Sequence, residues 1–493
     1  MANGGIIGTV NTPTSTTATG VWQQEEQYEA KVTDTWPQRA LFTTNSLRFN
    51  DDSSDYLSRT PSSGGNRRTF TISCWLKRSN LGGGKIITGI NDGSDPYARI
   101  FFDTNDVLKI EDNDGSTDTE IVTNRRFRDV SAYYHIVVAY DTTQGTASNR
   151  IKIYVNGVQE TSFSTETYPA QNFDTEYNKS STAMNIGKFS SSYYDGYMAE
   201  VVMIDGQQLD ATSFGVANSD GVWTPIPYTG TFGTNGFNLQ FQNSAALGTD
   251  SSPNGNTFTV NNLTSIDQST DYPVVNYATM NPLAYRLDSG VSLPTYSEGN
   301  TVVSYANDSG AGKSTMATIG FQNGKWYWEY KVGTANDTIF GGITRMDYDP
   351  NDNFAGRSCY YNKTGAFSVG TGTGGTADGS YGNSYTTDDI IGVAFDCDNG
   401  VIWFSKNGTW QNSATIAEIG AGTTTNSATT GITLNQFWSP FFEGANGGMS
   451  ANFGSPAYAI SSGNADGNSY GNFEYAVPSG YYALNTANLA EFG

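Results

Sequence analysis

The sequence predicts an all-β protein: two antiparallel β-sandwiches, joined by a short β-rich connector and preceded by an extended N-terminal arm. Three observations predict it. The chain of 493 residues is rich in glycine (56 residues) and poor in charge (15%), and Ser, Thr and Asn fill much of the remainder, as turn-rich β-proteins require. Apolar content is only 37%, but aromatics reach 13%, enough to fill cores with large side chains. Finally, one short object occurs twice. "VAYDTTQGTASNRIKIYVNG" (138–157) and "VAFDCDNGVIWFSKNG" (393–408) both run Val-Ala-aromatic-Asp, polar loop, short apolar strand, Asn-Gly.

Residues 1–40 form the arm. A Gly/Thr/Ser-rich lead gives way to "GVWQQEEQYEAKVTDTWP", in which 23–31 suits one or two helical turns, marginal without tertiary contacts. Trp22, Tyr28 and Trp36 on so thin a segment suggest docking onto another body; packing back on the first domain is the alternative. Residues 41–215 carry short strands such as "TFTISCWLKR", "ARIFFDT", "YYHIVVAYD" and "YMAEVVMID", with period-two alternation and Gly/Asn/Asp punctuation. Asn156-Gly157 is a hairpin signal, because both residues accept the positive φ of a type I′ turn. Residues 216–281 are a Pro- and Asn-rich connector with short strands, too long for a bare loop. The strand pattern resumes over 282–454, where "GKWYWEYKV" puts Trp326, Trp328, Tyr330 and Val332 on one face and Asn407-Gly408 makes the second hairpin. Residues 455–493 are a Gly/Ser/Tyr-rich segment with a final turn at "NTANLAEF".

A net charge of −22, from 26 Lys+Arg against 48 Asp+Glu, argues against binding to nucleic-acid phosphates or anionic membranes. No apolar run is long enough to span a bilayer. The N-terminus has neither a basic start nor an apolar segment, so no signal peptide is expected and synthesis is placed in a cytoplasm. Of the three cysteines, Cys74 and Cys397 fall on apolar strand faces and read as small core residues; a Cys359–Cys397 bridge is the alternative. His135, the only histidine, sits in an apolar strand and reads as packing, which leaves neither a Ser-His-Asp triad nor a zinc ligand set. "NDSGAGKST" (307–315) lacks the first glycine of a phosphate-binding loop, and no helix pattern follows.

Residues 41–215, with "FTISCWLKR", "HIVVAYD…RIKIYVNGVQE" and "DGYMAEVVMIDGQQLD", resemble the laminin-G-like, concanavalin A-like lectin/glucanase jelly roll. Residues 282–454, with "NGKWYWEYKV", "DDIIGVAFDCDNGVIWFSKNGTW" and "SPFFEG", resemble a SPRY domain. With the arm pattern "GxW…EQY…TWP" and the spacer "GTDSSPNGNTFTVNN", the combination is similar to virion appendage proteins of tailed marine bacteriophages. This resemblance implies a non-enzymatic virion fibre or appendage. Its arm residues Trp22, Tyr28 and Trp36 would join other virion proteins, and its sandwiches would adsorb to host-surface glycan or protein. A homo-oligomer, with a trimer favoured, is the arrangement the family implies. The alternative reading is a capsid- or tail-decoration protein whose sandwiches bind other virion proteins. A surface-polysaccharide depolymerase ranks third, because the glucanase pattern Glu-x-Asp-x-Glu meets only "STDTE", with Ser116 in the first position.

No cofactor is required by this reading. Calcium remains an option at acidic turns, with Asp347, Asp349 and Asp352 the nearest set of oxygen ligands. Aromatics in or beside loops are the candidate ligand contacts: Tyr193, Tyr194 with Asp195, Tyr360, Tyr361, Trp410 and Trp438. Sugar rings present apolar faces to such side chains, and neighbouring Asp and Asn satisfy hydroxyls.

Overall fold

The alternation in "TFTISCWLKR" is realised in the strand Thr69–Arg78. Phe70, Ile72, Cys74 and Leu76 enter the first core, which leaves Thr71, Ser73, Trp75 and Lys77 on the opposite face. This strand is the middle of an eight-stranded sheet, flanked by Tyr134–Asp141 and Gly196–Asp205. A second eight-stranded sheet around Lys85–Ile90 and Tyr97–Phe102 closes the sandwich, and Ile100, Phe102, Leu108, Ile110 and Ile121 meet the first sheet's apolar face. The computed structural model describes residues 44–92, 95–116, 118–287, 292–307, 313–335, 339–347, 358–370 and 376–493. Trp22, Tyr28 and Trp36 of the arm, and Asp349 and Asp352 of the acidic turn, lie outside the described residues.

The segment 216–281 does not stand apart as a connector. Phe237–Leu239 pairs with Gly196–Asp205, Thr259–Asn261 with Tyr56–Arg59, and Gln268–Ser269 with Ser46–Phe49. It therefore adds strands to both sheets of the first sandwich.

The second sandwich grows from Lys325–Ala335, whose Trp326, Trp328, Tyr330 and Val332 fill its core. That strand lies between Ile390–Asp396 and Gly447–Asn452 in one sheet; the facing seven-stranded sheet centres on Trp438–Gly444 and Ile339–Arg345. The C-terminal segment forms a third layer. Tyr482–Ala483 pairs in parallel with Lys325–Ala335, and Phe473, Tyr481 and Ala483 pack with Tyr327, Ala394 and Trp403 in a separate apolar cluster. The final turn is the helix Thr486–Phe492, capped by the Asn485 side chain. The "NDSGAGKST" stretch leads into the strand Lys313–Ala317 rather than a helix, and Lys313 Nζ donates to the Ala306 carbonyl at 2.8 Å.

Both Asn-Gly corners adopt the turn their sequence asks for, with φ of 48° and 83° at Asn156 and Gly157 and of 46° and 76° at Asn407 and Gly408. Each Asn also clamps the start of its hairpin. Asn156 Oδ1 accepts from His135 N at 2.7 Å, and Asn407 Oδ1 from Ile390 N at 2.8 Å. All three cysteines are free and buried. The alternative Cys359–Cys397 bridge is thereby corrected: Cys359 is a core residue, while the Cys397 thiol donates to the Gln322 carbonyl at 3.1 Å.

Residues 45–493 form one unit because the sandwiches are joined by buried polar side chains. Arg48, fully buried, donates from Nη2 to Ile266 O at 2.8 Å and from Nε to Glu298 at 3.3 Å, and reaches Pro456 O at 3.3 Å. Lys77 pairs with Asp271 and donates to Asn276 Oδ1 at 2.9 Å, under the ring of Tyr197 at 4.7 Å. Burial disfavours charge on both partners, lowering the Lys77 pKa and raising that of Asp271, while their mutual attraction and hydrogen bond work in the opposite direction. Removing one member of such a pair typically costs about 3–5 kcal/mol, whereas exchanging both for apolar residues is often neutral. Lys77→Met is therefore expected to lower the unfolding free energy in urea by that amount. The double variant Lys77→Met/Asp271→Leu should recover most of it; equal losses in the two variants would show that the pair carries no charge.

Candidate binding site

Trp410 follows the Asn407-Gly408 corner on the two-residue strand Thr409–Trp410, beside Val401–Lys406. Its indole stands edge-on to Tyr327, with ring centroids 6.4 Å apart. Tyr327 is outward-facing on Lys325–Ala335, because its neighbours Trp326 and Trp328 take the inward positions. The third wall is Tyr475 from the C-terminal segment, which lies so close over the turn that a Cβ on Gly408 would sit 2.5 Å from its ring. Only glycine fits there, for space as well as for backbone conformation. These rings, with Ile416, Ala414, Ser405 and Thr409, enclose a cleft of about 560 Å³.

A buried carboxylate holds the cleft together. Glu329 Oε1 accepts from the Tyr327 hydroxyl at 2.9 Å and Tyr475 N at 2.8 Å, and Oε2 accepts from Glu474 N at 2.9 Å and Asn452 Nδ2 at 3.2 Å. Burial pushes its pKa up to about 7, against the pull of these four donors. Floor and wall are thus fixed by one side chain behind them. Ser405 Oγ lines the cleft, is buried, and has no hydrogen-bond partner among the described residues. An unmet buried hydroxyl beside aromatic faces suits a ligand with both an apolar face and a polar rim. The lining offers hydroxyls and rings, and no carboxylate or imidazole among the described residues.

The other aromatics singled out in the sequence are placed differently. Tyr194 is fully buried, with its hydroxyl donating to Lys77 O at 3.1 Å, and Asp195 is 1% exposed beside it. Tyr361 is buried among Phe404, Tyr381 and Tyr385, and Trp438 is packed on Phe395 with Nε1 donating to Thr433 O at 3.2 Å. Tyr361 and Trp438 are core residues because their strands turn them inward, and Tyr194 enters the first core from the short link between Ser192–Tyr193 and Gly196–Asp205. Tyr193 is half-buried near Tyr56, and Tyr360 is half-buried and stacked on Phe340 at 4.0 Å. Asp347 is engaged by Arg345, and no cluster of three metal-ligating side chains occurs among the described residues. Tyr327 and Tyr475 were missed by sequence reasoning. Tyr327 carried a usable signal, as the out-of-phase aromatic in "KWYWEY"; Tyr475 carried none, since its partner is a turn far back in the chain.

One buried pair has the look of a nucleophile and its base. Ser73 Oγ lies 2.8 Å from His135 Nε2. Yet His135 Nδ1 accepts from Trp223 Nε1 at 2.9 Å, so the neutral ring carries its proton on Nε2 and donates to Ser73. That tautomer cannot take the serine proton. One face of the imidazole is stacked on Trp75 at 4.5 Å, Trp223 lies beside its edge, and burial lowers its pKa to about 3.

Residues 51–211 match the family model of the concanavalin A-like lectin/glucanases superfamily, and residues 325–424 match that of the SPRY domain. The first match falls on the first sandwich and the second on the second sandwich. The chain is similar to the SPRY domain of human HERC1, at 14% identity over 35% of this chain and 96% of that one, with a TM-score of 0.25. It is likewise similar to another human SPRY domain, at 15% identity over 36% and 99% with a TM-score of 0.25. A heptameric SAP-like pentraxin from Limulus polyphemus matches at 14% identity over 34% and 76%, with a TM-score of 0.25. No curated protein matches the chain. The cleft at Trp410 is built by residues within the SPRY match together with a tail segment beyond it.

Two measurements check these assignments. As the single histidine, His135 gives one set of ring resonances, and they should not shift between pH 8 and pH 5; a midpoint near the usual imidazole value would refute the buried stack. Asp195 has its carboxyl pushed by burial from 3.8 to about 7. The unfolded chain loses that proton first, so this group's contribution to stability falls as pH rises through that window. Asp195→Asn is expected to leave stability near pH 4 unchanged and raise it at pH 8 by on the order of 2–4 kcal/mol. Parallel stability curves for the two proteins would contradict this.

Proposed function

We propose that this chain is a non-catalytic recognition protein of a virion appendage, anchored through residues 1–40 and displaying its concanavalin A-like and SPRY domains to host-surface glycan. The observation that carries this reading is the Trp410 cleft, where Tyr327, Trp410 and Tyr475 surround the unmet hydroxyl of Ser405. Such a cleft grips one face of a sugar ring by dispersion and hydrogen-bonds its edge. Individual contacts of this kind are weak. Display on a trimer, and many copies on one particle, would raise the effective concentration and give avidity without tight single sites.

A second reading, a decoration or connector protein, is favoured by a different surface. Leu283, Tyr285 and Leu293, exposed at 59%, 38% and 51%, surround a shallow cavity of about 210 Å³ together with Tyr296. Exposed apolar clusters of this kind suit a protein neighbour.

Retention of the intact chain on arrays of bacterial surface polysaccharide separates the readings. Retention is expected without release of reducing ends, and Thr409→Arg, whose side chain would lie across the cleft mouth, should abolish the SPRY-domain share of it. Reducing-end release would establish a depolymerase. Failure on every glycan, with co-sedimentation on particles lacking this chain, would establish the decoration protein.

A further inference from the structure

The repeated corner builds a second cleft. At Asn156-Gly157, as at Asn407-Gly408, an aromatic from a distant segment is laid on the turn glycine: a Cβ on Gly157 would lie 2.7 Å from the Trp223 ring. Below it an outward-facing aromatic of the central strand forms the floor. Here the floor is Trp75, opposite the His135 that Asn156 clamps; the matching position in the other sandwich is Lys331, opposite the Ile390 that Asn407 clamps, and the floor there is Tyr327, four residues earlier on its strand. In both places the covering ring is fixed from behind by a buried polar group, His135 for Trp223 and Glu329 for the Tyr475 backbone. The cavity at the first corner is about 500 Å³, of the same order as that at the second, and is lined also by Val274 and by Ala487 and the exposed Ala490 of the C-terminal helix.

Its rim differs in a way that bears on the ligand. Asn156 Oδ1 is used by His135 N, and Asn218 Oδ1 by the backbone of Asp220 and Val222 at 2.9 Å. That leaves Asn156 Nδ2, Asn218 Nδ2 and the Asp220 carboxylate lining the opening, without partners among the described residues. Two amide donors and one carboxylate acceptor beside indole rings match alternating ring hydroxyls. The Asp220 charge, on a chain of net charge −22, works against acidic sugars and phosphates.

We propose that the Asn156-Gly157 corner is a second saccharide site, taking an uncharged pyranose against Trp75 and Trp223 with its hydroxyls on Asn156, Asn218 and Asp220. This rests on the glycan reading of the Trp410 cleft, and gives one chain two sites, each beside an Asn-Gly corner whose glycine is covered by an aromatic ring. It lies on the outer face of the first sheet, at the junction with the tail, so it is complete only when both halves of the molecule are assembled.

The test uses the intact chain and saturation-transfer NMR with methyl glucoside, methyl galactoside and N-acetylglucosamine. Ala490→Trp fills the mouth of this cleft from an exposed helix position, Asp220→Ala removes its acceptor, and Thr409→Arg blocks the other cleft. Transfer to at least one of these sugars should fall in Ala490→Trp and in Asp220→Ala, fall in Thr409→Arg, and vanish when Ala490→Trp and Thr409→Arg are combined. Unfolding temperatures checked in parallel show whether each variant is folded, and Asp220→Ala, at an exposed loop position, serves if Ala490→Trp is not. Transfer that ignores Ala490→Trp and Asp220→Ala but disappears in Thr409→Arg would overturn the second site and leave the glycan reading standing. Absence of transfer from the wild-type chain, with retention on polysaccharide arrays intact, would also overturn it. Absence of both would overturn the two together.

Discussion

The outer face of the first sheet carries groups that water cannot be allowed to reach singly. Lys77 and Arg48 project from central strands on the side opposite the apolar core, and each is covered completely in the folded chain. A buried cation without a partner is too costly to persist, so Asp271 and Asn276 must meet Lys77, and Glu298, Ile266 O and Pro456 O must meet Arg48. Those partners come from the segment after the first sandwich, from the start of the second, and from the tail. Satisfying two cations therefore fixes how the two sandwiches lie together.

The same requirement shapes both clefts. Excursions that cover polar outer faces run back over the hairpin corners and leave Trp223 and Tyr475 resting on glycine. Each covering ring is tied down by a buried group, so the clefts are formed before any ligand arrives. Preorganisation lowers the ordering cost of binding, which matters most for ligands that make only a few weak contacts. Glu329 shows how economical the arrangement is, since one carboxylate accepts four hydrogen bonds and positions both the floor and a wall.

The SPRY and concanavalin A-like matches account for the sandwiches but stop short of the clefts. Trp223 lies past residue 211 and Tyr475 past residue 424. What distinguishes this chain from a bare pair of such domains is the material that folds back over them.

Local sequence by itself determined the strands, the turns and which face of each strand is apolar, because alternation with period two and Asn-Gly chemistry act between near neighbours. "FTISCWLK" and "KWYWEYKV" declared their inward residues, and both corners declared their turn type. Trp410 was legible as a residue just past a turn. Tyr194, Tyr361 and Trp438 were read as aromatics open to a ligand and are buried, because nearness to a loop in sequence does not say which way a side chain points. The tertiary structure alone decided that the connector joins the first sandwich, that the tail covers the second, and that Trp75 and Trp223 meet at His135. Those contacts unite residues far apart in the chain, and no periodicity encodes a partner at that distance.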